Sequence, residues 1–270
     1  MKAMDCCATT SPLLGSDELP AVELVNVGGS SHVVLVCDHA SNRVPRCLQN
    51  LGLDENELKE HIGWDPGAAD VARRLAVHLD ASLVLSGYSR LVVDCNRPLN
   101  SAESAIEQSA GIPIPGNRGL SPADKKRRLD ALFVPYHDAI SRLLDGRGKR
   151  PTVLLSVHSF TPFLNGRSRP WHVGISHGRN RQFAALMLEA LGRNKEIIVG
   201  DNEPYPIEDE FDYTLPMHGD ARGLPCAMIE IRQDGIQTAE GAAVWAARLA
   251  AAYRSIEEDA LKLHVPSPEQ

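Results

Sequence analysis

The sequence of 270 residues lacks several features that would assign it to a broad class of protein. No run of about 18 apolar residues occurs, so we expect no membrane-spanning helix. Residues 1–10 lack the apolar stretch of a signal peptide, which predicts a cytoplasmic protein. Basic residues are outnumbered 28 to 35, the net charge is −7, and the longest basic block is residues 125–128. This charge pattern argues against a nucleic-acid partner.

The six cysteines form no CxxC pair and no regular framework, so we expect reduced thiols, mostly buried as small apolar side chains. Hydrophobic residues make up 43% and charged residues 23% of the chain, which is typical of globular proteins. No internal repeat or low-complexity linker is present. We therefore expect a flexible lead-in over residues 1–20 and a single catalytic α/β domain over residues 21–265.

Short apolar runs alternate with amphipathic segments along the chain. Strands are predicted at residues 32–37, 82–85, 90–94, 152–157, 171–176, 196–199 and 225–231. Helices are predicted at residues 65–79, 121–144, 180–191 and 238–261. Residues 101–120 and 201–218 form two long loops, which are candidate pocket walls. The alternation predicts an α/β fold with a mostly parallel sheet and helices on both faces.

Polar side chains follow several of the predicted strands. Asp38 and His39 follow the first, Asn96 and Arg97 follow the third, and His158 with Ser159 follows the fourth. Glu230 and Arg232 lie at the end of the last predicted strand. Ligands of open α/β sheets bind beyond the carboxyl ends of the strands, so these side chains are expected to converge on one crevice.

Two histidines and a carboxylate are a common catalytic zinc site, with one position left for water. His39 and His158 are the candidate histidines, and Asp65 and Asp38 are the candidate carboxylates. Each aspartate also has a structural interpretation. Asp65 precedes Pro66 and could cap a helix. Asp38 could form a turn or hold His39 by a hydrogen bond.

Three further polar residues at the strand ends are candidate functional side chains. Asn96 and Arg97 could bind a substrate carboxylate, because a guanidinium is a rigid bidentate donor. Alternatively, Arg97 could pair with Asp94 or another acid and anchor the loop that follows. Glu230 lies within an apolar run, so its carboxylate must be paired, metal-bound or catalytic. The structural alternative is a buried ion pair of Glu230 with Arg232 or Arg222.

A competing motif favours a different chemistry. Residues 174–178 match the G-x-S-x-G pattern of a serine nucleophile between a strand and a helix. Ser176 would then act with Asp201 or Asp209 and with His218, as a serine hydrolase. This short pattern leaves the polar residues at the other strand ends unexplained.

Six ordered segments resemble the N-formylglutamate amidohydrolase family. They are residues 37–42, 61–68, 88–98, 156–162, 201–205 and 230–234. The resemblance extends over about residues 32–250, nearly the whole chain. The family is in turn distantly similar to zinc carboxypeptidases, which implies a zinc-peptidase-like, three-layer α/β/α fold with a mixed, mostly parallel central sheet.

The chain departs from these patterns at two positions. The carboxypeptidase pattern has a glutamate ligand where this sequence has Asn42, so the resemblance leaves Asp65 as the expected second ligand. The best-known family members have proline where this sequence has Asp38. Substrate specificity could therefore differ from theirs.

The resemblance implies a zinc amidohydrolase that converts a small anionic N-acyl amino acid, first of all N-formyl-L-glutamate, to formate and L-glutamate. Glu230 would move the proton and Arg90 would stabilise the oxyanion. One zinc ion per chain would be held by His39, Asp65 and His158, and substrate would be bound by Asn96, Arg97 and Arg232. A non-catalytic protein that binds an acidic metabolite is the remaining alternative.

Overall fold

The computed structural model describes residues 12–263. The predicted lead-in lies largely outside this range, and within its described part Leu13 is buried. No helix of the described chain is both long and apolar enough to cross a membrane.

The bounds of the regular elements are as follows. The strands are β1 (Val22–Val25), β2 (Val33–Cys37), β3 (Ser82–Ser86), β4 (Gln108–Ser109), β5 (Ile112–Pro113), β6 (Val153–Phe160), β7 (Phe163–Leu164), β8 (Arg167–Ser168), β9 (Val173–Ser176), β10 (Val199–Asp201) and β11 (Cys226–Arg232). The helices are α1 (Glu55–Lys59), α2 (Ala68–Leu79), α3 (Pro122–Arg128), α4 (Val134–Asp145), α5 (Gln182–Gly192), α6 (Thr214–His218), α7 (Ala239–Arg254) and α8 (Glu257–Lys262).

One seven-stranded sheet organises the domain, in the order β1-β3-β2-β6-β11-β9-β10. Strands β3, β2, β6 and β11 are mutually parallel. Strand β1 runs antiparallel to β3, and β9 antiparallel to β11. The β4–β5 and β7–β8 pairs are separate two-stranded hairpins. The prediction of a mixed, mostly parallel sheet is confirmed.

Helices cover both faces of the sheet, which confirms the three-layer architecture. Alternate residues of β2 face opposite ways, with Val33 and Leu35 in one apolar cluster and Val34 and Val36 in the other. The first cluster includes residues of α2, α5 and α7, and the second includes residues of α4 and α6. The buried thiols contribute to both clusters, as expected: Cys37 to the first and Cys95 and Cys226 to the second.

A third apolar cluster lies beneath the loops that surround the carboxyl ends of the strands. Leu91, Val92 and Val93 are buried in it, together with Leu13. The strand predicted at residues 90–94 is therefore wrong. This run is apolar because it is buried under loops, and its backbone bonds locally, as from Val92 N to the carbonyl of Ser89 (3.0 Å).

Several further elements differ from prediction, among them β1, β6, β10 and α7. The edge strand β1 was not predicted, and half of its four residues are exposed. Strand β6 continues to Phe160, and β10 lies at Val199–Asp201 rather than at residues 196–199. The helix predicted over residues 238–261 is interrupted at Ile256 (φ −124°). The Ser255 hydroxyl donates to the carbonyl of Ala252 at this break (2.8 Å).

Candidate metal centre and active site

The candidate site lies where the strand order reverses. Strand β3 follows β2 in sequence and lies on one side of it, whereas β6 lies on the other side. Crevices in open α/β sheets form at such a switch point. Val36 is paired with Ser156 across β2 and β6, so Asp38, two residues further along, reaches the level of His158.

Three buried side chains form a compact cluster at this point. The ligand atoms of His39, Asp65 and His158 all lie within 4.8 Å of one another. Nδ1 of His39 is 3.3 Å, and Nδ1 of His158 is 2.9 Å, from Oδ2 of Asp65. The two imidazole rings meet edge to face, at 4.8 Å between centroids. The structure thus brings together the three predicted metal ligands.

Asp65 belongs to this cluster and does not cap a helix. Helix α2 begins at Ala68, and its N-cap is Gly67, which has a φ of 83°. A Cβ at Gly67 would lie 2.5 Å from the carbonyl oxygen of Ile236, so only glycine fits there. The backbone N–H of Asp65 donates to the carbonyl of His39 (3.0 Å), which fixes the aspartate beside that histidine.

Each histidine of the cluster has a second carboxylate on its other ring nitrogen. Nε2 of His39 bonds Oδ1 of Asp94 (2.8 Å), and Nε2 of His158 bonds Oδ2 of Asp38 (2.9 Å). Such partners fix the tautomer and orientation of a metal-binding histidine. Asp38 is therefore a partner of His158, and its predicted alternative role beside His39 is wrong. Thr214 also donates to Asp38 (2.6 Å).

The donor set fits a divalent metal ion. Oδ1 of Asp65 is buried without a hydrogen-bond partner, a costly arrangement for a carboxylate oxygen. Burial opposes its ionisation, but His39 and His158 outweigh burial and hold the pKa of Asp65 well below its usual range. Two imidazoles and one ionised carboxylate are a donor set that suits zinc.

Glu230 lies beside this cluster on the neighbouring strand. It is paired with His158 across β11 and β6, and its side chain is buried. Burial raises the pKa of Glu230 to about 7. The two arginines considered as its ion-pair partners have other partners, since Arg222 pairs with Asp145 and Arg232 with Asp234. Oε2 of Glu230 has no hydrogen-bond partner among the described residues.

A cavity of about 1260 Å³ opens over the cluster. Glu230, Arg90, Asn96 and Arg97 all line it, together with parts of both predicted long loops. Its wall also includes the β4–β5 hairpin and strand β7.

The two arginines of the cavity already contact carboxylates. Arg90 donates to Oδ2 of Asp94 through Nη2 (2.9 Å), and its Nη1 lies 3.6 Å from Oδ1 of Asp65. Nη1 of Arg97 donates to the carbonyl of Phe211 (2.7 Å), and its Nε lies 3.3 Å from Glu103. Asp94 thus pairs with Arg90, whereas the acids beside Arg97 are Glu103 and Asp212, whose Oδ1 lies 3.8 Å from Nη1 of Arg97.

The two other predicted substrate-binding residues are Asn96, which lines the cavity, and Arg232, which does not. The amide nitrogen of Asn96 donates to Asp212 (2.8 Å), and its oxygen accepts from the N–H of Thr214 (3.0 Å). Asn96 therefore holds the loop that forms one cavity wall. Arg232 does not reach the cavity, because its guanidinium bonds Asp234 and the carbonyl of Arg169. The predicted substrate contact of Arg232 is therefore wrong.

Comparison with known proteins decides the family. A family model described as N-formylglutamate amidohydrolase matches residues 31–237. The chain belongs to the N-formylglutamate amidohydrolase family. A curated N-formylglutamate deformylase from Pseudomonas putida is 27% identical over 168 residues, which span 56% of this chain and 61% of that relative.

Two solved structures share the fold of this family member. Gene product Atu2144 from Agrobacterium tumefaciens has a TM-score of 0.86 and 38% identity, covering 91% of this chain and 99% of that chain. An N-formylglutamate amidohydrolase from Ralstonia eutropha JMP134 has a TM-score of 0.70 and 18% identity, covering 90% of this chain and 99% of that chain.

The G-x-S-x-G segment of this family member does not form a nucleophile site. Ser176 is fully buried, and its hydroxyl donates to the carbonyl of Tyr205 (2.5 Å). His218 shares a hydrogen bond of 2.9 Å with His137 instead. Gly174 is required for packing, because a Cβ there would overlap the carbonyl of Glu203. The serine-hydrolase alternative is therefore wrong.

Sequence reasoning considered Asp94 only as a partner of Arg97, and it missed His61. Asp94 bonds both His39 and Arg90. The sequence feature that could have indicated this role is the position of an acidic residue directly after a buried apolar run. His61 lines the cavity, with Nδ1 3.5 Å from Oδ1 of Asp65. The sequence feature that could have indicated His61 is its position four residues before Asp65. Gln233 donates to the same ring nitrogen (2.7 Å).

Proposed function

We propose that this chain is a zinc-dependent amidohydrolase that removes the formyl group from an N-formyl amino acid. N-formyl-L-glutamate is the first candidate substrate, and its products are formate and L-glutamate. The observation that carries the proposal is the buried His39–Asp65–His158 cluster beside Glu230 on the floor of a large cavity. Family membership supports hydrolysis of an amide bond.

His39, Asp65 and His158 would hold the zinc ion. A zinc ion at such a site makes water a nucleophile near neutral pH and polarises a carbonyl oxygen. The protein keeps both imidazoles oriented through Asp94 and Asp38. This orientation leaves both Nδ1 atoms directed toward Asp65.

Glu230 acts as the general base and then as the general acid. Its carboxylate takes a proton from the attacking water and donates it to the departing amine. A catalytic group works best when its pKa lies near the working pH. Burial gives Glu230 that property, because it raises the pKa of this carboxyl to about 7.

The two cavity arginines act on the substrate. Arg90 stabilises the negative charge that develops on the carbonyl oxygen. Arg97, next to Asn96 in the chain, binds the α-carboxylate through its planar guanidinium. Both arginines line the cavity and are oriented by the contacts described above.

The proposal is tested by metal analysis of protein purified without a histidine tag, together with an assay for formate release. We expect about one zinc ion per chain in the wild type. His39→Ala and His158→Ala should lose the metal and formate release together, while the exposed His78→Ala should retain both. Wild-type protein that releases no formate when loaded with zinc would refute the proposal. A full metal complement in His39→Ala or His158→Ala would refute the assigned ligand.

A further inference from the structure

Tyr205 lines the cavity, on the long loop that follows β10. Its hydroxyl oxygen accepts a hydrogen bond from Nη2 of Arg169 (2.6 Å). A guanidinium can only donate, so this bond does not use the hydroxyl proton of Tyr205. No other partner of that hydroxyl occurs among residues 12–263. One O–H donor is therefore available on a side chain that lines the cavity.

Arg169, behind this tyrosine, is a buried cation without a counter-ion. Only 5% of its surface is exposed, its Nη1 has no hydrogen-bond partner, and no carboxylate of the described chain forms an ion pair with it. Its guanidinium lies over the rings of Phe160 (5.7 Å) and Tyr205 (4.9 Å), which attract a cation without neutralising it. A buried charge normally has a partner of opposite charge. An anion that binds at Tyr205 would supply that charge.

The loop that carries Tyr205 is anchored on the end of β9. The buried Ser176 hydroxyl donates to the carbonyl of Tyr205 (2.5 Å), and the N–H of His177 donates to Oδ1 of Asn202 (2.8 Å). The N–H of Asn202 in turn donates to the carbonyl of Ile175 (3.1 Å). The G-x-S-x-G segment, which forms no nucleophile site, therefore fixes the backbone of Tyr205 beside the sheet.

The distance from the metal cluster to this loop suits the length of a glutamate side chain. His158, Glu230 and Gly174 are paired in one row across β6, β11 and β9. Neighbouring strands are about 4.8 Å apart, so Gly174, against which the carbonyl of Glu203 packs, lies about 10 Å from His158. In extended N-formyl-L-glutamate, about 6 Å separates the formyl carbon from the side-chain carboxyl carbon. The substrate therefore spans most of the distance to the loop.

We propose that Tyr205 binds the side-chain carboxylate of the substrate and that Arg169 is the positioning residue of Tyr205. This inference rests on the proposed deformylase function. The Tyr205 hydroxyl donates to the carboxylate, while Arg169 holds that hydroxyl and supplies the opposite charge behind it. A hydrogen bond to an ionised acceptor is stronger than one between neutral groups. Because Arg97 is assigned to the α-carboxylate, the two carboxylates of N-formyl-L-glutamate have separate partners.

The experiment measures the ratio of kcat/KM for N-formyl-L-glutamate to that for N-formyl-L-glutamine, which has the same shape without the charge, with the zinc-loaded full chain. We expect a ratio of at least about ten in the wild type and a loss of about tenfold in Tyr205→Phe. Arg169→Gln should also lower the ratio, and Arg169→Lys, which keeps the charge, should lower it less. Tyr88→Phe is the matched control, because the Tyr88 hydroxyl donates to the carbonyl of Leu19 (2.7 Å) outside the cavity.

The ratio does not depend on the fraction of folded protein, so a folding defect in a variant leaves it unchanged. A wild-type ratio near one, or a ratio that Tyr205→Phe does not lower, refutes the inference while formate release supports the function. Equal ratios in the two Arg169 variants refute the role of its charge. Failure to release formate from either substrate refutes the function. Calorimetric binding of the two compounds then decides the inference, which requires tighter binding of N-formyl-L-glutamate and loss of that difference in Tyr205→Phe.

Discussion

The substitution Asp38→Asn tests how much a buried carboxylate that touches no substrate contributes to stability and to zinc affinity. Asp38 is fully buried and accepts three hydrogen bonds, from Nε2 of His158 (2.9 Å), from the Ser156 hydroxyl (2.9 Å) and from the Thr214 hydroxyl (2.6 Å). Burial opposes its ionisation, but the bond and charge of His158 outweigh burial and lower the pKa of Asp38. Asparagine keeps the shape and removes the charge.

The expected loss of stability follows from these contacts. Removing one partner of a buried charged pair typically costs about 3–5 kcal/mol. The Ser156 and Thr214 hydroxyls can turn to accept from the new amide, which recovers part of this loss. We therefore expect the free energy of unfolding to fall by about 3 kcal/mol. Zinc affinity should fall about 10- to 100-fold, because His158 loses the partner that orients it.

Two measurements test this reasoning. Urea unfolding in the presence of a chelator gives the stability of the metal-free protein, and competition with a chromogenic chelator gives the zinc affinity. Asp70→Asn is the control, because Asp70 forms a partly exposed pair with Arg74 on α2. If Asp38→Asn matches Asp70→Asn in both measurements, the carboxylate neither stabilises the fold nor orients His158.

Three other predictions concern catalysis, recognition and pH. Glu230→Gln should lower kcat about 10²- to 10⁴-fold and retain zinc, and loss of the metal would make Glu230 a ligand instead. Arg97→Lys should reduce the kcat/KM ratio between N-formyl amino acids and their α-amides about tenfold or more, whereas an unchanged ratio would contradict the carboxylate contact. Burial lowers the pKa of His137 to about 4 and that of His218 to about 3. The pKa of each of these two imidazoles is higher in the unfolded chain than in the folded one. The two histidines therefore contribute fully to the free energy of unfolding above about pH 6.5, and this contribution is lost as the pH falls toward 4. We therefore expect the free energy of unfolding of His218→Asn, measured in urea, to fall less steeply with pH than that of the wild type, by about 1 kcal/mol per pH unit between pH 6.5 and 4.5. A slope equal to that of the wild type would contradict the lowered pKa of His218.

The convergence of His39 and His158 could be predicted from sequence because parallel strands end at one edge of a sheet. The pattern of apolar runs was sufficient to find β2, β6 and β11, the strands that place His39, His158 and Glu230. The role of Asp65 could not be decided in that way. A helix-capping aspartate and a ligand have the same local sequence, and the choice depends on where the helix begins, which is at Ala68 with Gly67 as its N-cap.

The predictions that are wrong concern residues whose tertiary contacts cannot be deduced from the local sequence. Leu91, Val92 and Val93 are apolar because loops bury them, and a short apolar run alone cannot distinguish such a segment from a strand. Arg232 follows Glu230 by two residues, which suggested that both side chains reach the site. Its guanidinium is instead held by Asp234 and two backbone carbonyls outside the cavity.

The distances along the chain between the proposed metal ligands have a consequence for folding. Asp65 lies 26 positions from His39 and 93 positions from His158, and the two histidines meet only after β2 has paired with β6. Closing loops of this length is slow, and the unfolded chain holds no preformed cluster. Under the proposed function, zinc would bind after the central strands have assembled and would stabilise the assembled sheet by mass action. Depleting zinc during refolding should change the final stability of the domain more than the rate at which the sheet forms.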